Sequence, residues 1–194
     1  MTTMTVMPRA TDDWTVDDLE AIPDDGLRYE LVDGMLLVSP APSFLHQRAS
    51  RRLLELLSTS CPDHLEVFYA PLDWQPDRRN SFEPDLLVVA KSDLVGRAIT
   101  APLALAVEIL SPSSRLRDTM LKFVKYAEGG IATYWIVDPA EPSIVAYDLV
   151  DGTYVEAGRA ADAQSITLDR PYAVTVIPAA LVADRPNRPG SSLR

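Results

Sequence analysis

The 194-residue chain is 47 % apolar and 24 % charged, proportions that fit one globular domain with short flanks, long enough to bury a core without a staple. A formal net charge of −10 excludes a protein that coats DNA with a basic field, although a local cleft can still attract phosphate. No apolar run approaches the roughly 20 residues of a membrane span, and Cys61, being single, excludes an internal disulfide. Met1–Ala10 lacks a basic region followed by an apolar core, so the expected location is the cytoplasm.

Residues 1–13 read as a flexible N-terminal segment, 14–183 as a single domain and 184–194 as a disordered tail. A short helix is expected over Trp14–Glu20, capped by Thr15 with Asp17 and Asp18 in its first turn. Asp33-Gly34 between two apolar stretches predicts a hairpin. Leu45, Ala49, Leu53, Leu56 and Leu57 fall at helical spacing behind the candidate cap Ser43, and Pro62 ends that helix. Leu65–Tyr69 reads as a strand, and Gln75–Phe82 as a turn-rich loop.

The continuous apolar runs Pro84–Ala90 and Leu103–Leu110 predict strands covered on both faces. Between Ser113 or Ser114 and Ala127 the spacing predicts a second long helix, with Leu116, Met120, Phe123 and Val124 on one side and basic residues on the other. Gly129-Gly130 stops it, Tyr134–Val137 reads as a further central strand, and a last hairpin turns at Asp151-Gly152. The fold class is α/β, a central mixed β-sheet flanked by helices, with extra hairpins.

Two acids stand where burial makes a carboxylate expensive. Asp85 opens one apolar strand, and Glu108 interrupts another. A cationic partner, a strand end open to water or a metal would resolve the cost. Strands lie about 4.8 Å apart, so carboxylates on adjacent ones can share a divalent ion such as Mg²⁺ or Mn²⁺, which would activate a phosphodiester. Lys122, on the helix after Glu108, is the candidate cation near the developing charge. The bland reading makes Asp118 and Lys122 an ordinary surface pair at i, i+4.

Pro84-Asp85 followed by Glu108-Ile109-Leu110 resembles the PD-(D/E)xK nuclease superfamily, except that Leu110 stands where that pattern has a lysine. A longer ordered set resembles one branch, the Uma family of restriction endonucleases, in which the lysine lies on the next helix. The matching pieces are the Trp14–Glu20 start, Arg28-Tyr29-Glu30-Leu31-Val32-Asp33-Gly34, Ser39-Pro40-Ala41-Pro42, His46 and Glu83-Pro84-Asp85. They continue through Val107–Ser113, Asp118, Lys122, Tyr126 and Tyr134–Pro139. The resemblance spans about Trp14 to Tyr154 and implies a restriction-endonuclease-like fold, a divalent metal and a homodimer.

Carried over, Asp85 and Glu108 would ligate the metal, with the Ile109 carbonyl as a further donor, and Lys122 would be the catalytic cation. Glu30 reads as a metal-site or water-positioning acid, or as a solvent-facing strand residue. His46 reads as a phosphate or water contact, or as a structural histidine. Tyr126 reads as helix packing before a phosphate contact, and Tyr134 and Trp135 as core or subunit contacts before base stacking.

Arg48, Arg51, Arg52, Arg78, Arg79, Arg115, Arg117 and Lys125 either line a positive groove or form solvated faces. No Walker loop, dinucleotide fingerprint, zinc spacing or serine-nucleophile elbow competes. The expected function is metal-dependent endonucleolytic hydrolysis of DNA. The alternative is a catalytically inactive nuclease-fold module that binds DNA or protein.

Overall fold

The computed structural model describes residues 5–7, 13–22, 26–112 and 114–184. In chain order the elements are β1 (Thr5–Met7), α1 (Val16–Glu20), β2 (Arg28–Val32), β3 (Met35–Ser39), α2 (Phe44–Ser60), β4 (Leu65–Tyr69), β5 (Trp74–Asp77), β6 (Asn80–Phe82), β7 (Leu86–Ala90) and β8 (Leu105–Ile109). A π-helical turn over Arg117–Leu121 then runs into α3 (Lys122–Glu128), followed by β9 (Thr133–Asp138), β10 (Ser143–Val150), β11 (Thr153–Ala161), β12 (Ile166–Leu168), β13 (Val174–Val176) and α4 (Pro178–Val182).

The central sheet has the order β11-β10-β9-β8-β7-β4, with β8 and β9 parallel and its other neighbours antiparallel. Alternation along its strands builds two cores. Leu86, Val88, Leu105, Val107, Ile109, Trp135 and Val137 face Ala49, Leu53 and Leu57 of α2, with Val174 and Val176 of the β12–β13 hairpin and Leu181 of α4 on the same side. Leu87, Val89, Ala106, Leu110, Tyr134 and Ile136 face the other way, toward Tyr126 of α3 and Val32, Leu37, Trp74 and Phe82 of a second sheet, ordered β1-β3-β2-β6-β5. Each fully buried Leu or Val contributes roughly 1.5–3 kcal/mol of transfer free energy. Both faces are therefore dry, which is why β7 and β8 read as unbroken apolar runs.

Local signals account for the ends of these elements. Asp33 (φ 51°) and Gly34 (φ 82°) adopt the left-handed backbone that a tight hairpin requires. Thr15 and Asp18 form a reciprocal capping box, and Ser43 Oγ accepts from the His46 N–H at 3.2 Å to start α2. Gly129 closes α3 against Trp74, and a Cβ there would lie 2.3 Å from a ring carbon.

Three sequence expectations need correction. Thr5–Met7, in the stretch read as loose, pairs with Leu36–Val38 of β3. Gln75–Phe82 is a β5–β6 hairpin rather than an open loop, because Trp74 pairs with Phe82 and Asp77 with Asn80 across a two-residue turn. The helix after β8 is turned over: Leu116, Met120 and Val124 are exposed, while Asp118, Lys122 and Tyr126 are buried. Its π turn breaks the 3.6-residue period, and the sheet face beneath offers carboxylates to neutralise as well as apolar side chains to cover.

Residues 185–194, most of the stretch read as a disordered tail, lie outside the described residues. Among the described residues no helix is long and apolar enough to cross a membrane.

Candidate active site

The adjacent strands β7 and β8 register Leu86 against Val107, and one further step sets Asp85 opposite Glu108. Glu108 alternates with Val107 and Ile109, so it points to the face covered by α3. The π turn and α3 bring Asp118, Lys122 and Tyr126 down one helical stripe onto it. From the other side, β2 of the second sheet delivers Arg28 and Glu30, and the first turn of α2 delivers His46. All five side chains singled out in the sequence, Glu30, His46, Asp85, Glu108 and Lys122, meet in one cluster.

Lys122 is completely buried and sits 2.7 Å from both Glu30 Oε1 and Glu108 Oε1. Its Asp118 partner is real, at 4.0 Å, but both residues are interior, so the surface-pair reading is wrong. Tyr126, read as packing, donates its hydroxyl to Glu108 Oε1 at 2.6 Å. Glu30 is not solvent-facing: it is fully buried, accepts the Glu83 N–H at 3.0 Å and lies 3.3 Å from Arg117. His46 Nε2 stands 3.0 Å from Asp85 Oδ2, which also accepts the Ile109 N–H at 2.8 Å, while Arg28 donates to Asp85 Oδ1 at 3.1 Å. A carboxylate only accepts, so the His46 ring carries its proton on Nε2.

Three charged groups had no role in the site in the sequence reading, although Arg28 and Asp118 stand in its matching motifs and Arg117 among its groove candidates. Arg28 reaches Asp85 and also Glu83 at 2.9 Å, Arg117 holds Glu30 and Asp118, and Asp118 joins the cluster itself. The local signal, an arginine two residues before Glu30 and another next to Asp118, is too common a pattern to assign them a role.

The electrostatics follow from numbers. Five carboxyls, Glu30, Glu83, Asp85, Glu108 and Asp118, share three permanent cations, Arg28, Arg117 and Lys122. Burial alone would raise every carboxyl. At Glu30 the charges of Lys122, Arg28 and Arg117 overcome it and hold the group at about 2. At Asp85 burial is likewise overcome, by the hydrogen bond from His46, the charge of Arg28 and the Ile109 N–H, leaving the group below the usual carboxylate range. Glu108 goes the other way and is pushed up to about 8, by burial first and then by Asp118, Asp85 and Glu30 against the opposing pull of Lys122. Burial also raises Glu83, to about 7, and Asp118. The surplus negative charge must be met by protons or by a further cation.

Asp85, Glu108 and Ile109 line a cavity of about 800 Å³ together with Arg28, His46, Arg117 and Asp118, between Ser39–Ser43 on one side and Ser111, Pro112 and Ser114 on the other. Lys122 and Tyr126 engage Glu108 Oε1, and among the described residues Glu108 Oε2 accepts no hydrogen bond. Among the described residues no three His, Cys, Asp or Glu side chains form a ready-made metal cage. Mg²⁺ is commonly held by one or two carboxylates with water and substrate phosphate completing its shell, so two acids with surplus charge and a free oxygen fit it.

Of the cations considered for a positive groove, Arg117 lines the cavity, while the others are paired elsewhere. Arg48 pairs with Asp184, Arg51 with Glu55, Arg78 with Asp17, Arg79 with Asp13, Arg115 with Asp138, and Lys125 with Asp33 and Glu128. Arg52 donates to the carbonyls of Ala180 and Ala183. These cations are matched locally, and the unmatched polarity lies in the cavity.

The Uma2 family, described as "Putative restriction endonuclease", matches residues 16–178. A crystal structure from Anabaena variabilis, described as a putative nuclease belonging to DUF820, superposes with a TM-score of 0.65 at 16 % identity, covering 80 % of this chain and 89 % of that one. At that identity the likeness concerns the fold. No curated protein matches the chain.

Proposed function

We propose, for a chain that belongs to the Uma2 family, divalent-metal-dependent hydrolysis of DNA phosphodiester bonds. The observation that carries this reading is the pair Asp85 and Glu108, opposed on adjacent strands and open to one cavity, with Lys122 buried against Glu108.

In this reading Asp85 and Glu108 hold Mg²⁺ or Mn²⁺, with the Ile109 carbonyl beside them. When bound, the ion supplies Lewis-acid polarisation of the phosphoryl oxygens and a more acidic water. The protein's own groups do the rest. The Ile109 N–H and the His46 imidazole fix the Asp85 carboxylate in one orientation. Lys122 and Tyr126 fix Glu108 by one oxygen and leave the other toward the cavity, and Lys122 adds positive potential beneath the reacting phosphate. Glu30 is the buried counter-charge that keeps Lys122 protonated and aimed at Glu108. The lysine absent at Leu110 is thus supplied from α3. The lone thiol of Cys61 suits a reducing cytoplasm.

The test is a nicking assay on supercoiled plasmid with Mg²⁺ or Mn²⁺, comparing wild type with Asp85→Ala. Cleavage should fall at least 100-fold in the variant while the circular dichroism spectrum is retained. Undiminished nicking by the purified variant would overturn the assignment.

A second reading, a nuclease fold kept as a binding module, is favoured by one observation: both Asp85 oxygens are already engaged by protein donors. DNA binding with a steep salt slope, unaffected by chelation and without cleavage, would select it. The homodimer expected from the resemblance is proposed with the first reading, and sedimentation at micromolar concentration checks it.

A further inference from the structure

The three donors on Asp85 are not held equally. The Ile109 N–H belongs to the end of a central strand, and His46 is packed into the first turn of α2. The backbone N–H cannot leave without disturbing the strand, and the short His46 side chain is 10 % exposed. Arg28 is the first residue of β2, two residues after Gly26, whose positive φ turns the chain there. Its side chain is 24 % exposed, against 8 % for Arg117 and 0 % for Lys122.

The Arg28 guanidinium is also poorly satisfied. One well-formed hydrogen bond runs from Nη1 to Asp85. Nε faces Glu83 at 2.9 Å and Nη2 faces Glu30 at 4.0 Å, but among the described residues neither nitrogen makes a hydrogen bond of acceptable geometry although both are buried. A guanidinium offers five donors in a planar fork that matches carboxylate or phosphate bidentately, and here most of that capacity is unused.

We propose that Arg28 is an exchangeable counter-ion: it holds Asp85 until a divalent cation takes its place, and then turns into the cavity to bind substrate phosphate. The inference rests on the reading of Asp85 as a metal ligand. Among the described residues three donors occupy Asp85, and Arg28, on a long, partly exposed side chain, is the one on Oδ1, where it also opposes an arriving cation by its charge. Inward, the space beside Glu30 is filled by Lys122 and Arg117, so the displaced guanidinium moves toward the cavity it already lines. A phosphate there offers the bidentate partner that Asp85, Glu83 and Glu30 do not provide.

The experiment is a pair of calorimetric titrations, Mn²⁺ into the metal-free protein and inorganic phosphate into the Mn²⁺-loaded protein, on wild type, Arg28→Gln, Arg28→Lys and Asp85→Ala. A unit charge about 4 Å from a metal, even at an effective dielectric of about 20, changes binding by more than a factor of ten. Arg28→Gln should therefore bind Mn²⁺ at least tenfold more tightly and phosphate at least tenfold more weakly. Arg28→Lys, which keeps the charge without the fork, should bind Mn²⁺ like wild type and still lose phosphate affinity, and it carries the test if the glutamine variant does not fold.

Mn²⁺ affinity unchanged or weakened in folded Arg28→Gln, or phosphate affinity unchanged in Arg28→Lys, overturns the exchange. If wild type binds Mn²⁺ in an Asp85-dependent way, that failure belongs to the exchange alone. If Asp85→Ala binds Mn²⁺ as wild type does, the metal-site reading fails and the exchange with it.

Discussion

Replacing Lys122 by methionine removes the ammonium that two buried carboxylates share, and the folded protein should lose about 3–5 kcal/mol at pH 7. The magnitude follows from the site. Glu30 is held at about 2 against an ordinary 4.5, despite burial that would raise it, with Lys122 the largest opposing influence. That difference corresponds to roughly 3 kcal/mol of preference for the ionised form in the folded state. Because the folded value is the lower one, this stabilisation is present above about pH 4.5 and lost as the pH falls through about 2. Glu108 has the opposite sign: pushed up to about 8 by burial and neighbouring acids, its contribution is complete below about pH 4.5 and lost as the pH rises through about 8.

Without Lys122 both carboxyls are driven upward; Glu108, already pushed up to about 8, keeps its proton at pH 7, and Glu30 must bind one that the unfolded chain does not hold. The deficit should therefore narrow at pH 5, where the orphaned groups protonate at little cost, and Glu30→Gln in the same chain should restore part of it. Urea unfolding followed by circular dichroism at both pH values reads the effect, with a fall in Tm of roughly 10 °C in a domain of this size. A loss below about 1 kcal/mol, the scale of an exposed i, i+4 pair, or a deficit that does not change with pH, would refute the account.

Two further expectations follow from the same geometry. Because Glu108 must lose its proton to hold a cation, Mn²⁺ affinity should rise about tenfold per pH unit up to about pH 8, with one proton released per ion, and Glu108→Gln should abolish both; calorimetry in buffers of different ionisation enthalpy measures this, and an affinity flat from pH 6 to 8 contradicts it. Gly129→Ala forces a methyl to within 2.3 Å of the Trp74 ring, and the overpacking should cost about 1–3 kcal/mol in thermal melts; a neutral effect would mean that Trp74 can swing away from α3.

Legibility in the sequence depended on distance along the chain. Caps at Thr15 and Ser43, the Asp33-Gly34 turn and the doubly covered strands β7 and β8 are set by neighbours within a few residues, and composition at those positions reports them directly. Asp85 and Glu108 were visible for the same reason: a carboxylate inside an apolar run is costly wherever it folds, so the run itself marks the acid. Which way the helix after β8 faces was decided elsewhere. Leu116, Met120 and Val124 form an apolar stripe, but the face turned toward the sheet carries Asp118, Lys122 and Tyr126, whose burial makes sense only once Glu30 and Glu108 lie beneath them.

The charged partners show the same division. Arg28 meets Asp85 across 57 residues of chain, and His46 meets it across 39. Nothing local distinguishes Arg28, which becomes part of the site, from Arg78 or Arg79, which end in surface pairs with Asp17 and Asp13. By itself the sequence determined the fold class, the strands and the acids that burial would make expensive, because these depend on local pattern and on the cost of desolvation. The tertiary structure alone decided which cations neutralise those acids and how many charges remain uncovered, because a Coulomb interaction depends on separation in space and on the medium between the charges.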